Sequence, residues 1–106
     1  MTKSLNINTA DSNKISVGLD VNGKISQKTS ESKLLKSEAA LPLIDEILKK
    51  NKLTVQDIDS INVNLGPGSF TGIRVGLAIA NTLGFLLKIP INGKKVGELA
   101  EPVYNK

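Results

Sequence analysis

The sequence predicts one α/β domain of element order βββαβα with a short terminal strand, a mixed sheet with its helices packed on it. Three observations point there. Alternating apolar residues fill the first 30 positions, a helical period follows, and a glycine-rich link joins one further strand to a long helix with a single charge. A chain of 106 residues suits a single small domain, residues 1–106, burying about two thirds of the surface of its unfolded form. Two full lobes around a cleft exceed that length.

Leu5, Ile7 and Thr9 alternate with polar neighbours as a first strand, and Asp11-Ser12-Asn13 carries turn chemistry. Ile15, Val17, Leu19 and Val21 continue the alternation in a second strand. Asn22-Gly23 accepts the positive φ values of a type I′ turn, so a third strand returns over Lys24 to Thr29, completing an antiparallel meander. Ser30 to Lys33 reads as a polar loop. From Leu35 to Asn51 a helical stripe holds Ala40, Ile44, Ile47 and Leu48, with Ser37 as the expected N-cap and Pro42 in the first or second turn. Thr54 and Asp57 form a capping-box pattern, after which Ile61, Val63 and Leu65 alternate with Asn62 and Asn64 as a fourth strand. The loop Gly66-Pro67-Gly68-Ser69 leads into a helix over Phe70 to Leu87. Pro90, Ile91 and Gly93 predict a short fifth strand and a turn, and Gly97 to Asn105 one last helical turn.

The composition excludes several functions. There is no His and no Cys, hence no Ser-His-Asp or Cys-His catalysis, no disulfide and no zinc site built on nitrogen or sulfur. Three aromatic residues, Phe70, Phe85 and Tyr104, are too few for a stacking platform on single-stranded nucleic acid. The net charge is +4, and the clusters Lys49, Lys50, Lys52 and Lys94, Lys95 read as solubilising surface or as contacts to RNA phosphate. Asp45, Glu46, Asp57 and Asp59 read as solvated carboxylates. Residues 1–13 lack the apolar core of a signal peptide. The run Val75 to Leu87, broken by Asn81 and Thr82, is shorter than the roughly 20 residues of a membrane span, so a cytoplasmic protein without membrane contact is expected.

Between Asp59 and Lys88 lie 28 residues with one charge, Arg74, and five of the nine glycines. A helix apolar on nearly every face needs cover on nearly every side, and one sheet covers only one. Gly72, Gly76, Ala80 and Gly84 form a row at four-residue spacing that admits a close neighbour: a partner's helix, or the domain's own first helix or sheet. Gly66 to Ser69 is either a strand-to-helix turn or an anion nest, although Pro67 removes an amide and the glycine spacing fits neither the dinucleotide fingerprint nor a phosphate loop. Arg74 is an ion-pair partner, an interface anchor or a snorkelling side chain at the helix edge.

The run Gly66-Pro67-Gly68-Ser69-Phe70-Thr71-Gly72-Ile73-Arg74-Val75-Gly76 resembles the motif of the TsaB (YeaZ-like) family. So do Ile7-Asn8-Thr9-Ala10, the helical segment Leu41 to Leu48 and the lead-in Leu53 to Asp59, so that the likeness spans nearly the whole chain and the first half of the family's usual length. It implies an ASKHA (actin-like, ribonuclease H-like) N-terminal lobe. It also implies a non-catalytic dimerisation subunit that supports threonylcarbamoyl transfer to tRNA adenosine by a TsaD-like catalytic subunit, with a TsaE-like ATPase joining them. The residues expected at the partner interface are Gly72, Ile73, Arg74, Gly76, Leu77, Ala80 and Gly84 of the second helix and Ile44, Ile47 and Leu48 of the first. Gly66, Pro67, Gly68, Ser69, Phe70 and Thr71 form the motif loop. A second copy of the chain is the other candidate occupant of the two helices, and any contact with tRNA is expected to be indirect or weak.

Three departures from the family point toward partner binding. Asn8 stands where the family usually has Asp, Lys36 stands where a His often precedes the first-helix segment, and no second lobe is present. No catalytic residue, metal or cofactor is therefore expected. The competing class is a small nucleotide- or anion-binding domain that uses the Gly66 to Ser69 loop. A ribonuclease H-type nuclease needs a cluster of metal-binding carboxylates, and Asn8 vacates its central position.

Overall fold

The computed structural model describes residues 2–11, 14–31 and 36–96. Its strands are β1 (Lys3–Asn8), β2 (Lys14–Val21), β3 (Lys24–Glu31) and β4 (Ser60–Val63), and its helices are α1 (Lys36–Lys50) and α2 (Phe70–Leu87). They form one mixed sheet in the order β3-β2-β1-β4. The meander is antiparallel, with Leu5 opposite Leu19 and Val21 opposite Lys24, while β4 lies parallel to β1 with Leu5 opposite Ile61.

Period-2 alternation gives the sheet two unlike faces. Leu5, Ile7, Ile15, Val17, Leu19, Ile61 and Val63 point inward and form one buried cluster with Ala40, Ile44, Ile47 and Leu48 of α1 and Ala80 of α2. Both helices therefore lie on that face. The opposite face is polar and open: Asn6, Asn8, Ser16, Gln27, Asn62 and Asn64 stand there, with Ile25 68% exposed among them. Asn62 donates from Nδ2 to Asn6 Oδ1 (3.0 Å) and Asn64 to Asn8 Oδ1 (3.2 Å), so the amide pairs tie β4 to β1 across that face.

The Asn22-Gly23 turn has the expected geometry, with φ of 53° and 90°. Strand β3 continues to Glu31 instead of stopping at Thr29, because Ser30 and Glu31 go on pairing with Ile15 and Lys14. Helix α1 begins at Lys36, so Ser37 is a first-turn residue and not the cap. Pro42 falls in the second turn, where its missing amide leaves one first-turn carbonyl without a helical donor. Gly97 to Asn105 lies outside the described residues.

The terminal strand is reduced to one parallel bridge between Ile61 and Ile91. Asn92 and Gly93 take φ of 51° and 75° and turn the chain away, and Lys94 N–H closes the turn on the Ile91 carbonyl. The Asn92 side chain completes the ladder in place of backbone: its Oδ1 accepts from Val63 N–H (2.8 Å) and its Nδ2 donates to the Val63 carbonyl (3.1 Å). An amide carries the same donor and acceptor as a peptide unit, so one side chain satisfies the edge that a longer strand would have covered.

Helix α2 sits on β1 and β4 through its small residues. A Cβ built on Gly76 would overlap Thr9 Oγ1 and come within 3.3 Å of Val63 Cγ2, and one on Gly84 would lie 2.6 Å from Ile91 Cδ1. Buried Thr9 donates from Oγ1 to the Gly72 carbonyl, fastening the first turn of the helix to the end of β1. We expect Gly76→Leu to lose about 3 kcal/mol in urea denaturation through overpacking. Ala78→Leu, at an exposed position two residues further on, should change stability by about 0.5 kcal/mol or less.

Thr54 precedes a single 3-10 turn, Val55–Asp57. Asp57 Oδ2 accepts from the Thr54 amide (2.8 Å) and from Thr54 Oγ1 (3.2 Å), and these bonds hold its carboxyl below the usual value. A carboxyl lowered on folding adds stability above its unfolded value of about 3.9 and loses it as pH falls further, through the folded value. The Tm of Asp57→Asn should accordingly fall less steeply than that of the wild type below about pH 4.

Candidate functional site

The glycine-rich link is a joint between β4 and α2. Beyond β4, Asn64 Oδ1 accepts from Gly66 N–H (2.9 Å), and the Gly66-Pro67 peptide bond is cis. Gly66 takes φ of 107°, a region that favours glycine. Gly68 passes so close to the end of β1 that a Cβ there would lie 2.7 Å from the Ala10 carbonyl oxygen. Ser69 N–H then donates to that same carbonyl (2.7 Å), and Ser69 Oγ caps the helix by accepting from Gly72 N–H (3.2 Å).

These bonds favour the strand-to-helix turn over the anion nest. Of its four residues Pro67 has no amide, and the amides of Gly66 and Ser69 are already committed to Asn64 and Ala10. The joint is built to start a helix close to the sheet, and little of it is left to receive an anion. Asn8 acts in the same joint, its Oδ1 accepting from Ala10 N–H (3.1 Å) and from Asn64 Nδ2.

Most of the residues expected at a partner interface lie inside the chain's own core. Gly72, Ile73, Gly76, Ala80 and Gly84 are the buried residues of α2, and Ile44, Ile47 and Leu48 are the buried stripe of α1. Leu77 is half-buried and packs on the same cluster. The small-residue row thus meets the domain's own sheet, the intramolecular alternative left open by the sequence, and of the ten residues only Arg74 is exposed. In the motif loop, Pro67, Phe70 and Thr71 are exposed, while Gly66, Gly68 and Ser69 are half-buried.

The open side of α2 consists of different residues. Two positions along a helix is about 200° of rotation, so the row at 72, 76, 80 and 84 turns positions 70, 74, 78 and 82 outward. Phe70 is 55% exposed, Phe85 77% and Leu86 67%, with Thr71, Arg74, Ala78 and Thr82 between them. A hollow of about 420 Å³ lies among Phe70, Thr71, Arg74, Val75, Ala78 and Ile79. A second of about 230 Å³ reaches across to Leu41, an exposed residue of α1. The Arg74 guanidinium stacks on Phe70, its Cζ 5.3 Å from the ring centroid. The sequence carried this signal, since the offset from the glycine row follows from helical geometry alone.

The same helix is apolar enough, over 18 residues of mean hydropathy 1.5, to cross a membrane by length and composition, longer than the run read from the sequence. Its seating on β1 and β4 makes it a helix of the folded domain. Only 28% of it is buried there, which leaves an apolar face uncovered. Among the described residues no three His, Cys, Asp or Glu side chains come together in a group fit to hold a metal ion.

Comparison with known proteins agrees with this geometry. The profile of the family described as "TsaD: tRNA N6-adenosine threonylcarbamoyltransferase" matches residues 30–94. The "tRNA threonylcarbamoyladenosine biosynthesis protein TsaB" of Buchnera aphidicola subsp. Schizaphis graminum is 40% identical over 67 residues, covering 62% of this chain and 32% of that protein. That of Bacillus subtilis is 34% identical over 80 residues, covering 65% and 35%. The solved structure of YeaZ from Pseudomonas aeruginosa superposes with a TM-score of 0.82 at 25% identity, over 90% of this chain and 44% of that one. The chain thus spans about a third of the length of these two named relatives. With the family profile covering more than half of its residues, and with its sheet, helices and Gly66 to Gly76 motif in place, the chain belongs to the TsaD family as a partial, TsaB/YeaZ-like member.

Proposed function

We propose that this chain serves the formation of N6-threonylcarbamoyladenosine in tRNA as a non-catalytic scaffold, docking a TsaD-like catalytic subunit on the outer face of α2 and the adjoining Leu41 of α1. One observation carries this reading. Among the described residues the outer face is largely apolar and exposed, with Phe70, Phe85 and Leu86 all more than half exposed, whereas the sheet's other face is polar. Exposed apolar patches of several hundred Å² mark interaction surfaces. The names of the relatives support the process, and the TsaD-like partner is part of the proposal. A TsaE-like ATPase joins the pair. The lysines Lys49, Lys50, Lys52 and Lys95 are exposed side chains that suit weak, salt-sensitive contact with tRNA phosphate.

The scaffold reading also accounts for the chemistry of the joint. Two of its amides hold the joint, and Asn8 joins two strand ends. Co-purification with a TsaD-like subunit tests the docking face. Ala78→Glu, a charge placed at the exposed centre of the face, should weaken association at least tenfold, and Gln27→Glu on the open sheet face should leave it unchanged. Equal binding by both variants would overturn the assignment. Isothermal titration with ATP and Mg²⁺ is expected to show no submillimolar binding, and a measurable heat of that strength would revive the nucleotide-binding alternative.

A further inference from the structure

The topology gathers lysines at one end of the sheet. Strands β1, β3 and β4 all start there, Lys3 and Lys24 both lying opposite Val21 and Ser60 opposite Ser4. Both helices finish there. Ser26 Oγ of β3 donates to Oδ1 of Asn51, just past α1 (3.5 Å), and Gly84 of α2 meets Ile91, which bridges to Ile61 of β4. Lys24, Lys50 and Lys52 thus stand on the β3 and α1 side of this end. Lys3 and Lys88 stand on the β4 and α2 side with Lys95, whose neighbour Val96 lies back against Gly84 and Lys88. All six but half-buried Lys3 are exposed, and neither ion pair of the described residues includes any of them.

The acids do not cancel this charge. Asp45 is held by Lys49 (2.9 Å), and Asp20, Asp57 and Asp59 accept from the backbone amides of Gly23, Thr54 and Lys3. Asp11, Glu31 and Glu38 belong to the opposite end of the fold, Glu46 pairs with Lys28, and Glu98 and Glu101 lie outside the described residues. Helix dipoles favour cations in the last turn, which accounts for Lys50 and Lys88 but does not reach Lys3, Lys24 or Lys95.

The residue type says what such an end receives. Protein interfaces are depleted in lysine and centre on apolar anchors. A lysine ammonium is a mobile point charge that suits phosphate and lacks the planar fork that reads a base edge. Three inter-strand steps span about 14 Å, over which duplex nucleic acid presents about eight phosphate charges.

Resting on the reading above that the chain serves tRNA modification, we propose that this lysine end is a sequence-independent seat for the RNA phosphate backbone. It adjoins the last turn of α2, so RNA held there lies beside a catalytic subunit docked on that helix.

The test is fluorescence anisotropy of a labelled, unmodified tRNA transcript with the full chain, alone and with the TsaD-like subunit of the same genome, between about 0.05 and about 0.3 M NaCl. Lys24→Gln combined with Lys52→Gln should weaken RNA binding about tenfold at the lowest salt and lower the slope of log affinity against log salt by about 2. Lys14→Glu, at the opposite end of the sheet, removes the same net charge and should change RNA binding less than twofold. Equal losses in the two variants, or none in the first, would refute the seat. Co-purification with the TsaD-like subunit should be the same for all three chains. Loss of that association in the lysine variant, with RNA binding intact, would make the end a protein contact and overturn the proposal, as would tighter retention of the wild type by phosphatidylserine vesicles than by the RNA. If the wild type fails to co-purify, the docking reading falls, while RNA binding by the chain alone still decides the seat.

Discussion

Helix α2 approaches the sheet more closely than any side chain at Gly76 or Gly84 would allow, and the rest of the structure follows from that approach. With Gly76 against Thr9 and Gly84 against Ile91, the helix axis is set by backbone and not by side-chain bulk. An ordinary amphipathic helix buries its largest apolar residues. Here the inner row is almost volumeless, so Val75, Ile79 and Leu83 fall on the flanks, half-buried, and Phe70 and Phe85 point out. The exposed apolar face is thus the geometric counterpart of the close seat.

The joint before α2 serves the same end. Gly68 and Ser69 bring the chain against Ala10, and Thr9 fixes the Gly72 carbonyl, so the end of β1 and the start of α2 are tied at two successive residues. Asn8 and Asn64 extend the tie to β4. A loop that the sequence leaves open as a turn or an anion nest commits the Gly66 and Ser69 amides to positioning. Glycines are needed there because backbone meets backbone, which is also how ligand-binding loops arise. Glycine content alone does not separate the two cases; the partners of the amides do.

Period-2 alternation and Asn-Gly chemistry made the meander legible, and the extent of α2 was readable from Ser69 and the uncharged run that follows. The missed features share one cause, that a local pattern does not say what lies across from it. The terminal strand failed because an Asn92 side chain satisfied Val63 in place of backbone. Ser37 looked like a cap, but the helix had already begun. The small-residue row was correctly seen as a close-packing face, and only tertiary structure showed that the neighbour is the chain's own sheet. Once the row is known to face the sheet, helical geometry alone turns Phe70, Arg74, Ala78 and Thr82 outward.

The two open surfaces differ in what covering them would return. On the sheet's outer face the Asn pairs already bond to one another, so a partner there would displace water from satisfied amides for little apolar gain. On α2, apolar burial returns about 25 cal/mol per Å², so a face of a few hundred Å² yields several kcal/mol. That sum is comparable to the loss of rotational and translational freedom on association, commonly put at about 4–15 kcal/mol. Apolar contact at such a strip therefore sits near break-even, and one buried pairing shifts the balance either way.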